Sequence, residues 1–308
     1  SYVQWLSQEA PETQLHHLMS GYWISAAIGV AAELHLADLM AEGPQPSGDL
    51  AQKTGMHPGA LYRLVRTLAS IGLFTEVTPG QFAVTAMGDV VRMDHAGSLY
   101  HLTRYTCTDR QWQGFGALRR SIETGESVDL HLFEDTMRDH WERHPEERAV
   151  FDATMRTMAV QLAEAVVEAF DFSKYRTIVD VGGSHGTMLI AILQRAPHLQ
   201  GVLFDFPGVA SAATPYLVAA GVHNRCTVVG GDMLTAVPDG GDLYLFSRVL
   251  HARNDAQAVI ALRHCRRVID PHGTLLIIEE VLPAGDAPGY AKLSDLNMLV
   301  GPRGQERT

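Results

Sequence analysis

Five short apolar runs punctuate the second half of the sequence: Thr177–Val181, Val202–Phe206, Thr227–Val229, Leu243–Phe246 and Thr274–Val281. Helical stretches predicted at Met188–Arg195, Val209–Ala220 and Ala256–Ile269 lie between them. Strands joined through helices run parallel, and a parallel sheet needs helices over both faces to keep its apolar strands dry. Right-handed crossovers then bring the C-terminal ends of all the strands to one edge, where sheets of this kind bind ligands. The expectation is an α/β domain over residues 171–308, a parallel sheet with helices on both faces.

Chemistry gathers at those strand ends. The first strand runs into Asp180-Val-Gly-Gly-Ser-His-Gly186 and directly on into a helix. Gly182, Gly183 and Gly186 let the backbone turn sharply and let a ligand approach the helix N-terminus. Their spacing is not GxGxxG, so a dinucleotide pyrophosphate fits poorly, and Asp180 at the mouth of the loop suits a ligand with a cationic amine. Asp205 ends the second strand, placed to accept hydrogen bonds from ribose hydroxyls. Asp232 and Met233 follow the third and offer a carboxylate to an exocyclic adenine amine and a thioether to the ring face. Three acids at successive strand ends describe a site for a cationic nucleoside. The fourth strand leads through Ser247 to His251, whose imidazole suits a general base near neutral pH; the competing reading is a capping or core histidine. Glu279 and Glu306 are carboxylates available to accept the other ring N–H of His251 and fix its tautomer.

The first half reads differently. Ile24, Ile28, Ala31, Ala32, Leu36 and Leu39 recur at helical spacing and predict one amphipathic helix over Ile24–Leu39. Pro44, Pro46 and Gly48 break the chain, Ser47 is placed to cap a short helix ending at Gly55, and His57-Pro58 starts another reaching Ile71. Leu73–Glu76 and Gln81–Thr85 then form a hairpin, completing a winged helix over residues 1–102. Residues 103–170 form a helical bridge whose Trp112, Phe151 and Met155, with Asn297 and Met298 farther on, are candidates to line a mostly apolar acceptor pocket. His140 and His144 share a helical spacing but lack a third donor nearby, so no metal is expected.

Composition bounds the function. A chain of 308 residues exceeds what one core usually organises, which favours two domains. The 24 basic against 35 acidic residues give a net charge of −11, which repels phosphate backbones; Arg63 and Arg66 on the second helix of the winged unit do not reverse this, so no nucleic-acid partner is expected. Cys107, Cys226 and Cys265 have no CxxC spacing and suit a reducing cytoplasm. Glu33, His35 and Asp38 interrupt the most apolar long stretch, so no membrane span is expected, and the N-terminal residues carry no basic region before an apolar core, so no secretory signal is visible.

The motifs DVGGSHG, FDFPGV, GGDM, VLH, EEVLP, DLNML and GQERT, in that order behind a winged helix, resemble the S-adenosylmethionine-dependent small-molecule O-methyltransferases, of the caffeate and hydroxyindole type and the bacterial natural-product branch. The resemblance covers Leu15 to Thr308 and implies a Rossmann-like methyltransferase sheet behind an all-α winged-helix domain that forms a homodimer and helps close the partner's pocket. It implies S-adenosylmethionine as cofactor. Gly182–Gly186 would hold its methionine part, Asp205 the ribose, and Asp232 with Met233 the adenine, with Asp180, Ser247 and Arg253 completing the set. His251 would deprotonate the hydroxyl of a small aromatic or polyketide-like acceptor, oriented by Glu279 and Glu306.

The chain departs from that family in three places. His251 is followed by Ala252-Arg253 where the family usually has Asp-Trp, and the planar Arg253 guanidinium is a candidate to stack on adenine in place of the indole. Ser184 replaces a frequent glycine, which is tolerable at a φ below zero. The family adds a helix and two strands after its GQERT-like segment, so truncation at Thr308 is expected, with Thr274–Val281 left as an apolar sheet edge. The runner-up reading keeps the cofactor site but turns it to hydroxylation, decarboxylation or a pericyclic step. A third, a ligand-sensing regulator built on the winged helix, is disfavoured by the acidity.

Overall fold

The computed structural model describes residues 2–128, 132, 137–301 and 304–308, with the side chains of 137–139 set aside. Two compact units emerge. One comprises residues 1–112 and 144–157, the other residues 113–143 and 158–308. The bridge expected at 103–170 is therefore shared between them, because its chain passes from the first unit to the second and back.

In the first unit, the helix Gly21–Glu33 stops at Leu34 and a second, Leu36–Leu39, starts after His35, which adopts φ +53°. The single helix expected over Ile24–Leu39 is thus two, and the break turns Leu36, Ala37 and Met40 into a core with Leu50, Leu61, Val65, Leu68 and Phe82. Helices Ser47–Thr54 and Pro58–Ser70 flank Gly55, which ends the first of them as the sequence predicts and does so at φ +70°. Ser47 is not the cap: it is the first helical residue, and its N–H donates to Gly80 O. His57 caps the second helix, its Nδ1 accepting from the Ala60 N–H at 3.3 Å. The wing has three strands, not two: β1 (Gln45–Pro46), β2 (Phe74–Thr78) and β3 (Gln81–Val84) pair antiparallel in the order β1-β3-β2.

The second unit holds β4 (Thr177–Val181), β5 (Gln200–Asp205), β6 (Cys226–Gly230), β7 (Leu243–Ser247) and β8 (Thr274–Ile278). They form one parallel sheet in the order β6-β5-β4-β7-β8. Strand order reverses between β4 and β7, so the crevice above β4 is the topological switch point at which such sheets bind ligands. Two apolar clusters flank the sheet. Ile178, Leu189, Ile192, Leu203 and Leu217 belong to one, and Val179, Val181, Phe204, Tyr244 and Phe246 to the other. Alternate residues of β4 thus enter opposite layers, the signature of a sheet covered on both faces. β8 ends at Ile278, three residues before the expected Val281, which makes only an isolated parallel bridge to Arg307. Leu275 and Ile277 of this edge strand are exposed. Among the described residues, no helix is long and apolar enough to cross a membrane.

Candidate active site

The loop after β4 is shaped by what its glycines leave out. Gly182 has φ +80°, and a Cβ there would lie 2.7 Å from Val249 Cγ2. A Cβ on Gly183 would lie 2.7 Å from Asp180 Oδ2. Asp180 is therefore pressed beneath the loop, 1% exposed, and its Oδ2 has no hydrogen-bond partner. Burial, and then the neighbouring Asp205, push its carboxyl up to about 7. An orphaned buried acid under a glycine cradle calls for a cationic ligand to complete it.

Asp205, at the end of β5, is held from both sides. Its Oδ2 accepts from the Ser184 N–H at 2.8 Å and its Oδ1 from the Phe206 N–H at 2.7 Å. Burial raises this carboxyl, while those two amides and then Arg253 and His185 pull it down. The Ser184 contact carries a cost the sequence reading missed: Ser184 has φ +52°, not below zero. A side chain in the left-handed region costs roughly 1–2 kcal/mol. Ser184→Gly is expected to raise the urea midpoint by a stabilisation of about 0.5–1 kcal/mol, once the flexibility glycine adds to the unfolded chain is set against it. An unchanged or lower midpoint would show that the Ser184 Oγ contact to His185 Nδ1, at 3.2 Å, outweighs the strain.

Asp232 and Met233 follow β6. The Asp232 carboxylate caps its own turn, Oδ1 accepting from the Leu234 N–H at 2.9 Å, and Met233 is buried with its methyl 3.5 Å from where a Gly182 Cβ would be. Ser247 is the last residue of β7. Asp180, Asp205, Asp232, Ser247 and the glycine loop thus occupy the ends of four adjacent strands, as the sequence predicts.

His251 lies in the short turn Leu250–Ala252 and is 8% exposed. Its Nδ1 is 3.0 Å from Glu306 Oε1, which also accepts from Ser294 Oγ at 2.7 Å. A carboxylate facing Nδ1 favours the tautomer with its proton there and leaves the lone pair on Nε2. Glu279 Oε2 is farther, at 3.8 Å. Glu279 instead holds the turn itself, its Oε1 accepting from the N–H groups of Val249, Leu250 and His251 at 2.9, 2.7 and 3.3 Å. The three residues bring one donor atom each within 4.8 Å of one another. They would suit a cation only by giving up the hydrogen bond that orients the ring.

Two residues that sequence reasoning missed fix this turn from the terminal segment. A Cβ on Gly304 would overlap the His251 carbonyl, so only glycine lets the segment lie against the turn, where the Gln305 N–H donates to His251 O at 2.8 Å. Arg307 donates to Leu250 O, Arg253 O and Asp255 Oδ1, each at 2.9 Å. Of the expected acceptor residues, Trp112, Phe151 and Met155 lie in the first unit, where Phe151 packs edge-on against Tyr105 at 5.2 Å, and Asn297 and Met298 lie in the second on helix Tyr290–Val300. His144 makes an exposed 3.5 Å pair with Glu146.

Two family models match this chain: an O-methyltransferase domain over residues 121–308 and an O-methyltransferase dimerisation domain over residues 16–94. The chain belongs to the O-methyltransferase family. It is 40% identical to the phenazine O-methyltransferase PhzM of Lysobacter antibioticus, covering 96% of this chain and 86% of that one. It is similar to the crystal structure of CalO1, a methyltransferase in calicheamicin biosynthesis in its SAH-bound form, at 30% identity and a TM-score of 0.84 over 96% of this chain and 87% of that one. It is also 33% identical to the aclacinomycin 10-hydroxylase RdmB of Streptomyces purpurascens, covering 92% of this chain and 77% of that one. The fold and the cofactor class expected from the motifs are those of this family, a small-molecule O-methyltransferase that uses S-adenosylmethionine.

Proposed function

We propose that this enzyme transfers a methyl group to a hydroxyl of a small, aromatic or polyketide-like natural product, with His251 as the base. The observation that carries the reading is the buried pair of His251 and Glu306 at 3.0 Å on the ligand edge of the sheet. When bound, S-adenosylmethionine supplies an activated methyl on a sulfonium, so the chain need only position the acceptor and remove its proton. Asp180 and the Gly182, Gly183 and Gly186 loop take the amino-acid end of the cofactor, Asp205 the ribose, and Asp232, Met233, Ser247 and Arg253 the adenosine side. Nε2 of His251 accepts the hydroxyl proton while Glu306 stabilises the imidazolium that results, and Glu279 keeps the turn from shifting as the charge appears. Asn297 and Met298, in the same unit as His251, supply part of the surroundings of the acceptor.

The test is a mass-resolved assay with methyl-labelled cofactor and a panel of phenols that includes hydroxyphenazines. Labelled ether products support the reading. Product that forms without label supports the second reading, a cofactor site kept for hydroxylation, which Ala252 and Arg253 and the likeness to a hydroxylase favour.

The dimerisation domain is expected to pair two copies. Leu15, Leu18, Met19, Tyr22, Trp23 and Val30 are exposed along the helices Pro11–Met19 and Gly21–Glu33, an apolar surface that an isolated chain would leave in water. Light scattering at micromolar concentration should return about twice the 33.7 kDa of one chain; a single-chain mass would overturn the pairing.

A further inference from the structure

Glu279 and Glu306 each commit one carboxylate oxygen to the protein and leave the other unused. Oε1 of Glu279 accepts from the three N–H groups of the His251 turn, and Oε1 of Glu306 from Ser294 and the His251 ring. Both Oε2 atoms are shut away from water without a hydrogen-bond partner. Two buried carboxylate oxygens without donors are costly, and the one proton on Nδ1, already facing Glu306 Oε1, satisfies neither. A divalent cation satisfies both. One donor atom from each of His251, Glu279 and Glu306 lies within 4.8 Å of the other two. Nδ1 is 3.0 Å from Glu306 Oε1 and 3.8 Å from Glu279 Oε2. A tetrahedral ion with bonds of about 2.0–2.1 Å spaces its ligands about 3.3–3.4 Å apart, so shifts of about half an ångström close the site. The Glu306 side chain is 0% exposed and those of His251 and Glu279 are 10% and 15%, so an ion enters past the latter two. One imidazole nitrogen with two carboxylates suits a transition metal such as Zn²⁺, whereas Mg²⁺ and Ca²⁺ take oxygen donors.

We propose that His251, Glu279 and Glu306 form an inhibitory site for a divalent transition metal, bound through Nδ1 of the ring and one oxygen of each carboxylate. The two carboxylates balance the charge of the ion, and its fourth position stays open to water. Inhibition follows from the tautomer. A metal on Nδ1 occupies the lone pair there, so the neutral ring carries its one proton on Nε2, the atom that has to take the proton of the acceptor hydroxyl. An ion in this cluster therefore switches the base off, and it breaks the hydrogen bond that orients the ring. The inhibition rests on the reading of His251 as the base; the metal site does not.

The test is titration of Zn²⁺ alone, in competition with a chromophoric zinc indicator, into wild type, Glu279→Gln, Glu306→Gln and His144→Ala, each first shown folded by its urea midpoint. His144, Glu146 and Glu147 also bring three donors within 4.8 Å, on the first unit, and His144→Ala breaks that second cluster. Wild type and His144→Ala should hold their tightest ion equally well, and each glutamine variant at least about tenfold more weakly, because an amide is a poor ligand in place of a carboxylate. In the labelled-methyl assay, filling that site with Zn²⁺ should lower wild-type turnover at least about tenfold. A chelator should restore it, and Mg²⁺ at the same concentration should leave it unchanged. Equal affinity in wild type and both glutamine variants, or loss of the ion in His144→Ala, would overturn the site. Should a glutamine variant not fold, wild type alone decides: equal occupancy by Mg²⁺ overturns the proposal. Zn²⁺ that binds with the expected losses yet leaves turnover intact would remove the inhibition and, with it, His251 as the base. Zn²⁺ that does not bind, beside a His251→Gln enzyme that has lost turnover, overturns this inference alone.

Discussion

Replacing His251 with glutamine is expected to lower the turnover of methyl transfer by about 10²–10⁴-fold, the usual contribution of a positioned general base. Glutamine keeps a polar side chain of similar reach, and its amide can still donate to Glu306 Oε1, now bound at 3.0 Å by the ring. The packing around Glu306 and Ser294 is thereby spared. What disappears is the lone pair that takes the hydroxyl proton. Affinity for S-adenosylhomocysteine should stay within about threefold, because the Asp180 loop and Asp205 are untouched; loss of kcat at constant cofactor affinity is the mark of an interaction made in the transition state. Glu306→Gln should fall between wild type and His251→Gln, since it keeps the ring but gives up the charge that favours an imidazolium. Wild-type turnover in His251→Gln, measured at saturating cofactor, would remove His251 from the chemistry.

The parts of this site that could be read from the sequence are those set by local pattern. Alternation of apolar runs and helices places β4 to β8 within a few residues, and the acids at the ends of β4 and β5 mark the ligand edge. What escaped was set by contacts between distant segments. Gly304 and Arg307 look like ordinary terminal residues until the chain brings them against a turn some fifty positions earlier. Glu279 was legible as a carboxylate near His251 but not as the anchor of its turn. Three backbone N–H groups of that turn compete for the oxygen that the ring was expected to use, and they win because they need no side chain to be ordered. The break at His35 carries no proline or glycine to announce it. There, burying Leu36 and Met40 outweighs one residue in the left-handed region, a tertiary effect that helical spacing cannot express.

Asp180 is where binding and stability should pull in opposite directions. Its carboxyl, at about 7 in the folded chain against 3.8 in an unfolded one, keeps its proton in the native state over a pH range where the unfolded state has lost it. The sign follows. Below about pH 4 both states are protonated and Asp180 costs nothing through ionisation. Between about 4 and 7 the unfolded state sheds the proton first, so stability falls as pH rises, and above about 7 the full cost is present, on the order of 4 kcal/mol. Asp180→Asn removes that dependence, although its buried amide brings an unpaired group of its own costing about 1–3 kcal/mol. Without cofactor, the stability of Asp180→Asn relative to wild type is therefore expected to grow by roughly 2–3 kcal/mol between pH 5 and pH 8. Cofactor binding should move the other way, weakened at least about tenfold, because the amide cannot offer a negative charge to a cationic ligand above the loop. Urea midpoints at the two pH values, with calorimetric affinity at pH 8, measure both arms. A difference that shrinks with pH would mean the acid is paired in solution, whereas stability that rises as predicted with unchanged affinity would move the cationic end of the cofactor away from Asp180 and toward Asp205.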